Sequence, residues 1–289
     1  MRVRQQSLAV TKLELFFHDI PLGPATGFFY KYGQSIALVS NWHVLSGVNP
    51  LTRNLRNTDG LFPDRVKFTL KLFDPKTGTA SFRGEEVLLV ENQQRLWWQH
   101  RGYIDPSGLP KIVDIGVLVL DKRLPDFEAV KDKIVSLPAI VLVTGGPTEQ
   151  DMRVEAGYPR VAAEVFILGY PKGLSMQGVM PVWKRGSIAS EPLFDVMDQA
   201  PAFLVDAATR DGMSGSPVLY FGDEITDALG RSAAVGNQQG EPWLVGVYAG
   251  REGVTKEEMD MTLGRVWHRR LLDEMFYDQI PGNTSKPVA

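Results

Sequence analysis

Residues 211–221 read DGMSGSPVLYF, and this stretch distinguishes between two kinds of fold. Ser214 lies between two glycines, which is typical of a tight turn and also of a nucleophile that a substrate approaches closely. In hydrolases with a Gly-x-Ser-x-Gly turn, a helix follows the serine. Here position 216 is serine, and the residues after it are apolar and rich in strand formers. The stretch therefore favours a serine turn in a β protein.

Most of the chain has the pattern of short strands separated by turns. Alternating or apolar runs such as DRVKFTLKLF (64–73) and PWLVGVYAG (242–250) are bounded by glycine, proline, aspartate and asparagine. Gly33 and Gln34 separate two further runs and predict a hairpin. Because no helical repeats intervene, the pattern predicts an all-β barrel or sandwich. Longer loops are expected at 46–64, 144–160 and 221–241.

One helix is predicted near the end of the chain, at about residues 256–277. Thr255 and Glu258 have the spacing of a capping box. Apolar residues then recur at helical spacing, at Met259, Leu263, Val266, Trp267 and Leu271. The final residues, 281–289, are polar with proline and glycine, so we expect a disordered tail.

Composition narrows the classes of function. The chain has 289 residues, 44% hydrophobic and 22% charged, which is enough to bury a sizeable core. A net charge of -3 gives no basic footprint, so no nucleic-acid partner is expected. There are no cysteines, which excludes disulfides and thiolate metal sites, and we expect no metal or cofactor. The sequence contains neither a secretory signal pattern nor an apolar run of about 18 residues, so it predicts a cytoplasmic protein without a membrane span.

Three residues could together form a nucleophilic site. A serine hydroxyl is a weak nucleophile until a histidine, oriented by a carboxylate, takes its proton. His43 follows the apolar run ALVSNW, and Asp114 opens the run DIGVLVL. Taken singly, each is more often structural: a packed histidine, a turn aspartate or a turn serine. The order histidine, aspartate, serine, with Ser214 last, favours a catalytic triad.

These motifs resemble those of the trypsin-like serine peptidases of the chymotrypsin fold, especially the cysteine-free bacterial branch that includes the HtrA proteases. The stretches that resemble the family's base, acid and nucleophile motifs are SNWHV, DIGVLVL and DAATRDGMSGSP. VFILGYPKG and LVGVYAG resemble a strand before the nucleophile and the strand that lines the substrate cleft. The resemblance extends from about Gly27 to Gly250. It implies two six-stranded antiparallel β-barrels followed by a C-terminal α-helix.

The resemblance also implies a domain plan. A single peptidase domain would cover residues 1–280, with one barrel at about 8–125 and the second at about 135–254. The helix and the tail would follow. Many bacterial relatives carry a PDZ domain, but no residues are expected to remain for one after the helix.

The family's mechanism implies a serine endopeptidase that passes through an acyl-enzyme. Ser214 would attack the substrate carbonyl, His43 would act as base and then acid, and Asp114 would orient His43. The backbone N–H groups of Gly212 and Ser214 would form the oxyanion hole. The substrate would be a protein or peptide, without a cofactor, and a separate regulatory partner stays open.

The resemblance further implies where a specificity pocket would lie. Its base would be Ala208, six residues before the nucleophile. Its opposite wall would come from Tyr248, Ala249 and Gly250. Because none of these is charged, cleavage after small or medium apolar residues is expected, and poor cleavage after Lys or Arg. Charged residues that could alter this preference are Asp206, Asp211 and Arg251.

The sequence departs from trypsin at Met213. Trypsin has an aspartate there, which pairs with the new N-terminus after propeptide cleavage. We therefore do not expect this route of activation.

Two alternatives remain open. One is a catalytically inactive binding protein with the trypsin fold, although such a protein has no chemical need for all three triad residues. The other is an esterase-type hydrolase that pairs Ser214 with His268, although a histidine on an amphipathic helix is more simply structural. The same structural interpretation applies to His18 and His100. His100 lies in the aromatic stretch LWWQHRGY, but the near-neutral charge gives little support to a nucleic-acid platform.

Overall fold

The computed structural model describes residues 4–138, 143–144, 153–154, 158–196, 198–222, 224–226, 232–234, 242–251 and 263–283. Strands dominate these residues, and the fold class predicted from the sequence is confirmed. A large sheet occupies the N-terminal half, a closed six-stranded barrel the C-terminal half, and a helix follows the barrel. This arrangement is consistent with the chymotrypsin-like fold of two barrels.

The N-terminal sheet contains six main strands. Numbered along the chain, they are β1 Val10–Phe17, β2 Ile20–Tyr32, β3 Ser35–Ser40, β4 Arg65–Asp74, β5 Thr79–Leu88 and β11 Gly116–Val119. They pair antiparallel in the order β11-β3-β2-β1-β4-β5. Three two-residue strands enlarge the sheet to nine: β8 Trp98–Gln99, β12 Leu137–Pro138 and β23 Ile280–Pro281. The predicted hairpin is confirmed, because β2 and β3 flank Gly33 and Gln34.

The strands of the C-terminal barrel are β15 Glu164–Gly169, β16 Val182–Ile188, β17 Ala202–Asp206, β18 Pro217–Tyr220, β21 Trp243–Arg251 and β22 Leu263–His268. The barrel closes in the order β15-β16-β17-β22-β21-β18. Short strand pairs lie outside both sheets: β6 Val90–Glu91 with β7 Gln94–Arg95, β9 Tyr103–Ile104 with β10 Pro110–Lys111, β13 Val143–Thr144 with β14 Arg153–Val154, and β19 Glu224–Thr226 with β20 Ser232–Ala234.

The described residues include four short α-helices: α1 Gln5–Ala9, α2 Trp42–Ser46, α3 Phe127–Val130 and α4 Arg270–Asp278. In the same part of the chain, turns of 3-10 helix lie at Lys131–Lys133 and Pro171–Gly173. No described helix is long and apolar enough to cross a membrane.

Neighbouring residues on the central strands point into different cores, because side chains alternate across a strand. Phe29 and Leu38 pack inside the N-terminal sheet, and Ile167 and Val266 pack inside the barrel. Their neighbours pack into a third core that joins the two halves and also takes in the apolar face of α4; it includes Phe28, Val39, Leu168, Trp267 and Leu271. These strands are therefore buried on both faces, which explains their continuous apolar runs.

The predicted C-terminal helix is wrong over its first part. Leu263–His268 is a strand, and the helix begins only at Arg270. The strand pairs with β17 on one side and β21 on the other, so the barrel ends at His268 rather than at 254. Its apolar residues serve two faces, with Val266 inside the barrel and Trp267 in the joining core. The proposed capping residues, Thr255 and Glu258, lie outside the described residues.

The predicted disordered tail is also wrong at its start. Ile280–Pro281 pairs with β8, the amide of Gly282 donates to the carbonyl of Trp97 at 2.7 Å, and the amide of Asn283 donates to Gln99 Oε1 at 2.7 Å. These backbone bonds hold the chain on the sheet despite its polar sequence. The rest of the predicted tail lies outside the described residues, as do most of the predicted loops at 144–160 and 221–241.

Candidate active site

His43 and Asp114 form a buried pair at the edge of the joining core. His43 lies in α2, three residues after β3 ends at Ser40, and Asp114 lies two residues before β11 begins. The ring Nδ1 of His43 is 2.7 Å from Oδ2 of Asp114, and the backbone amide of His43 donates to Oδ1 at 2.8 Å. Asn41 Nδ2 donates to the backbone carbonyl of Asp114 at 2.7 Å. The carboxylate thus fixes both the backbone and the ring of the histidine.

This geometry sets which nitrogen of the neutral His43 ring carries the proton. A buried carboxylate is costly unless it accepts hydrogen bonds, and Asp114, only 4% exposed, accepts two from His43. A carboxylate oxygen at hydrogen-bond distance requires Nδ1 to carry the ring proton, so the neutral ring presents a lone pair at Nε2. Within the described part of the chain, Nε2 is buried and has no hydrogen-bond partner. The ring can therefore accept a proton at Nε2.

The turn that carries Ser214 packs on the segment that leads into His43. Gly215 has φ of +85°, and a Cβ there would lie 2.2 Å from the carbonyl oxygen of Thr26 and 2.3 Å from Ser40 Oγ. No other residue fits without moving β2 or β3. The amide of Gly215 donates to the carbonyl of Tyr248 at 3.0 Å, which ties the turn to β21. The structure therefore brings the Ser214 turn and the His43 segment together.

The hydroxyl of Ser214 and Nε2 of His43 are not hydrogen-bonded to each other in the described residues. In enzymes, a hydrogen bond between a nucleophile and its base is often long when no substrate is bound and tightens in the complex. Ser214 is half-buried, between the fully buried Met213 and the buried Gly215.

The two amides predicted for the oxyanion hole are available as donors. Each belongs to a peptide group whose carbonyl is already held: Asp211 O accepts from the amide of Lys172 at 2.6 Å, and Met213 O accepts from the amide of Ser216 at 3.0 Å. In a trans peptide the N–H points opposite to the C=O. Among the described residues, neither Gly212 nor Ser214 donates its amide to a backbone carbonyl.

Gly212 is required at its position. Its φ is +89°, and a Cβ would lie 2.4 Å from the carbonyl oxygen of Tyr170. A side chain would therefore displace the turn from the loop at Pro171–Gly173. This contact couples the conformation of the serine turn to that loop.

The residues predicted for the specificity pocket have different surroundings. Ala208 is exposed, and Ala249 is half-buried at the bulge before Gly250. The ring of Tyr248 is only 1% exposed and packs in the barrel core against Gly264, where a Cβ would lie 2.3 Å from the ring. Its hydroxyl bonds Thr209 Oγ1. Tyr248 therefore presents its backbone, not its ring, on the outer side of β21.

The other three histidines are in structural settings. His268 lies on β22, not on a helix, and burial lowers its pKa to about 3 with a further contribution from Arg270. His100 Nε2 lies 3.0 Å from Glu274 Oε2, and its Nδ1 accepts from the amide of Gly102 at 3.0 Å. His18 is exposed beside Asp64. None of them is hydrogen-bonded to Ser214 in the part of the chain that the structure describes.

Two buried polar residues were not identified from the sequence, one beside the serine turn and one farther along the N-terminal sheet. Thr26 is fully buried and contacts the Ser214 turn through hydrogen bonds. Lys71 is 1% exposed and donates to the carbonyls of Ser7 and Val10 and to the hydroxyl of Tyr170. The alternating pattern of β4 predicts that Lys71 lies on its polar, exposed face. In the structure, the N-terminal segment and Tyr170 cover Lys71 on that face. No signal in the sequence could have predicted this cover.

No protein-family model matches the sequence, and no curated protein matches it. Several solved structures are similar. With the serine endoprotease from Yersinia pestis the TM-score is 0.46 and the identity 12%; 96% of this chain and 65% of that one are covered, so the chain spans 65% of that protein's length. With a protease from M. tuberculosis in its active form the TM-score is 0.45 at 15% identity, covering 98% of this chain and 87% of that one. With the thermostable serine protease AL20 from an extremophilic microorganism the TM-score is 0.48 at 10% identity, and the match covers 95% of this chain and 98% of that one. At these identities, the assignment of function rests on the chain's own residues.

Proposed function

We propose that the chain is a trypsin-like serine endopeptidase with Ser214, His43 and Asp114 as its catalytic triad. The observation that carries the proposal is the buried pair of His43 and Asp114, in which Nε2 of His43 has no hydrogen-bond partner among the described residues. The Ser214 turn packs against the segment that leads into His43. A buried histidine held at Nδ1 by a carboxylate and open at Nε2 is the arrangement that activates a serine hydroxyl.

In the proposed reaction, Ser214 Oγ attacks the carbonyl carbon of the scissile bond while its proton passes to His43 Nε2. The carbonyl oxygen becomes an oxyanion and is stabilised by the amides of Gly212 and Ser214. His43 then gives the proton to the leaving amine, and an acyl-enzyme forms on Ser214. Water, deprotonated by His43, attacks the acyl carbon; the bond from that carbon to Ser214 Oγ then breaks, His43 returns the proton to Oγ, and the acid is released. Asp114 stays ionised and stabilises the imidazolium formed in each half.

The substrate would be a protein or peptide, cut after small or medium apolar residues. This preference follows from the uncharged residues at Ala208 and at Ala249 and Gly250. A sequence without cysteine suits a reducing compartment, and we propose a cytoplasmic location. A separate partner that regulates the activity is compatible with this proposal, although nothing in the site requires one.

A fluorophosphonate probe tests the nucleophile directly. Wild-type protein should be labelled at Ser214, and labelling should be lost in Ser214→Ala and His43→Ala. Ser216→Ala is the matched control: Ser216 lies two residues away, is fully buried, and its hydroxyl has no hydrogen-bond partner among the described residues. Undiminished labelling of Ser214→Ala would reject the proposal.

Peptide and ester hydrolysis separate the two alternatives. Hydrolysis of a peptide library, lost in the same two variants, supports an endopeptidase. Ester hydrolysis without peptide cleavage would favour the esterase-type hydrolase, especially if His268→Gln lost activity. Wild-type protein that neither reacts with the probe nor cleaves any substrate would be an inactive binding protein.

A further inference from the structure

Thr26 connects the N-terminal sheet to the serine turn through both its backbone and its side chain. It lies on β2 and is fully buried. Its amide donates to the carbonyl of Ser214 at 3.1 Å, and its hydroxyl donates to the carbonyl of Gly212 at 2.7 Å. The hydroxyl also accepts from the amide of Tyr170 at 3.0 Å. One donor and one acceptor interaction satisfy this hydroxyl in a fixed orientation.

The same residue is tied to the histidine segment. The carbonyl of Thr26 accepts a hydrogen bond from Ser40 Oγ at 2.7 Å. Ser40 ends β3, and His43 follows three residues later. Thr26 is therefore bonded on one side to the segment that carries the proposed base and on the other to the turn that carries the proposed nucleophile.

Four successive carbonyls of the turn are held in place. Those of Asp211 and Met213 accept from the amides of Lys172 and Ser216, and those of Gly212 and Ser214 accept from Thr26. Only the bond to Gly212 O comes from a side chain. The peptide between Gly212 and Met213 has two hydrogen bonds: the amide of Met213 donates to the carbonyl of Arg210 at 3.2 Å, within the same loop, and the carbonyl of Gly212 accepts from the Thr26 hydroxyl. The Thr26 hydroxyl is the one of these two partners that lies outside the loop.

This peptide lies between the two peptides that contain the oxyanion donors, the amides of Gly212 and Ser214. A change in ψ of Gly212 that φ of Met213 does not offset turns the peptide that contains one donor amide relative to the peptide that contains the other. A glycine at φ +89° resists such a rotation less than any other residue would. The bond from Thr26 adds a restraint from the N-terminal sheet at this point.

We propose that Thr26 is a positioning residue that keeps the 212–214 turn in the conformation in which both amides face the oxyanion. This inference rests on the proposed function, because it assigns Thr26 a role in the same reaction. Thr26 does not contact the reacting atoms. It acts through the carbonyl of Gly212, and a serine could replace it whereas a valine could not.

The test compares Thr26→Val with Thr26→Ser. Valine keeps the shape but can neither donate to Gly212 O nor accept from the amide of Tyr170. Since loss of one oxyanion donor lowers kcat by about 100- to 1,000-fold, we expect a loss of about 10- to 100-fold in kcat for Thr26→Val. KM should change little, and Thr26→Ser should stay within about threefold of wild type. Binding of a peptide aldehyde, which forms a tetrahedral adduct, should weaken in parallel with kcat/KM.

Thr11→Val is the matched control for stability. Thr11 is also fully buried, and its hydroxyl donates to the carbonyl of Thr69 at 3.0 Å and accepts from the amide of Thr69 at 3.1 Å, away from the turn. Both valine variants should lower the melting temperature, but only Thr26→Val should lower kcat. The pH profile of kcat/KM should keep its shape, because His43 and Asp114 are unchanged.

The outcomes separate this inference from the proposed function. If wild type cleaves peptides and Thr26→Val has wild-type kcat, or if Thr11→Val loses as much kcat, the inference is wrong and the triad stands. If Thr26→Val fails to fold, Thr26→Ala with Thr26→Ser gives the same comparison, and equal kcat in the two would overturn it. If wild type cleaves no substrate and takes no probe, the proposed function fails and the role of Thr26 fails with it.

Discussion

The carboxylate of Asp114 holds His43 at two points, with Oδ2 2.7 Å from the ring Nδ1 and Oδ1 accepting from the backbone amide at 2.8 Å. Both oxygens are therefore used on a single residue. One oxygen sets the position of the histidine backbone and the other sets the tautomer of the ring. A substitution that keeps the bond to the backbone amide but reverses the bond to the ring would isolate the role of the tautomer.

Asp114→Asn is that change. The amide oxygen can still accept from the backbone of His43, but the NH₂ group then faces Nδ1 and forces the ring proton onto Nε2. In the proposed mechanism the ring then cannot accept the proton of Ser214, and kcat should fall by about 10⁴, which is the loss that this change causes in a serine–histidine–aspartate triad. Steady-state hydrolysis of a peptide substrate measures the loss, and ¹⁵N NMR of the imidazole reports the tautomer.

A second pair provides the control. His18 Nδ1 lies 3.2 Å from Asp64 Oδ2 at the surface, so Asp64→Asn makes the same chemical change beside a different histidine. This variant should keep wild-type kcat. A similar loss in both variants, or none in Asp114→Asn, would contradict the role given to Asp114.

Gly212 should be intolerant of a side chain for two separable reasons. Its φ of +89° is unfavourable for an alanine, and a Cβ would lie 2.4 Å from the carbonyl oxygen of Tyr170. Gly108 has φ of +81° but nothing within 4 Å of its Cβ position. Gly108→Ala should therefore lower the free energy of unfolding only by the cost of placing an alanine at positive φ, about 1–2 kcal/mol.

Gly212→Ala should lose more stability than Gly108→Ala, and it should also lose at least tenfold in kcat because the turn must move. Urea denaturation and peptide hydrolysis measure the two effects. Equal losses of stability in the two variants, with kcat unchanged in both, would show that the turn has room that the structure does not give it.

The sequence predicted the β architecture and the composition of the proposed triad because both depend on local patterns. Apolar runs bounded by turn residues marked the strands, and the motifs around His43, Asp114 and Ser214 lie within single short segments. The helix was misassigned because Val266 and Trp267 pack into different cores. A strand buried on both faces lacks the period-two pattern, and its apolar residues can coincide with helical spacing.

Thr26 could not be identified from its own neighbourhood in the sequence. Ser40 is 14 residues away, but the partners that link Thr26 to the serine turn are more than a hundred residues away, at Tyr170, Gly212 and Ser214. A buried threonine on a strand is common. The hydroxyl of Thr26 finds its hydrogen-bond partners only when the two halves pack together. Lys71 is a similar case, because its burial depends on Ser7 and Tyr170 and not on the strand that contains it.

Lys71 should make stability depend on pH. Burial lowers the pKa of its ammonium from 10.5 to about 7, whereas the unfolded chain keeps the higher value. Between about pH 7 and 10.5 the unfolded state therefore binds more protons, and the free energy of unfolding rises with pH. Below about pH 7 the penalty for the buried charge is fully present. Burial also raises the pKa of Tyr170, so its hydroxyl stays neutral across this window.

The comparison is between wild type and Lys71→Met in urea denaturation from pH 7 to 10. The free energy of unfolding of wild type should rise relative to the variant, by up to about 1.4 kcal/mol per pH unit. Lys67→Met, which removes a half-exposed lysine from the same strand, should leave the slope as it is in wild type. Parallel curves for wild type and Lys71→Met would show that the buried amine does not titrate in this range.

The proposed preference for small or medium apolar residues depends on the uncharged side chains of the residues assigned to the pocket. A buried cation without a partner is costly, so a substrate lysine or arginine needs a carboxylate in the pocket. Ala208, Ala249 and Gly250 provide none, and the ring of Tyr248 is turned into the barrel. A peptide library varied only at the residue before the scissile bond should therefore show cleavage after alanine or valine and little after arginine.

Ala208→Asp should move this preference toward arginine and lysine if position 208 lies at the base of the pocket. Asp206 and Asp211 are both exposed, lie within three residues of Ala208 in the sequence, and are an alternative source of negative charge. If wild type already prefers arginine, then Asp206→Asn or Asp211→Asn should abolish that preference and identify the carboxylate that reaches the substrate. A wild-type preference for arginine that survives both substitutions would mean that the pocket lies elsewhere on the barrel, because no uncharged wall of this kind could hold the cation.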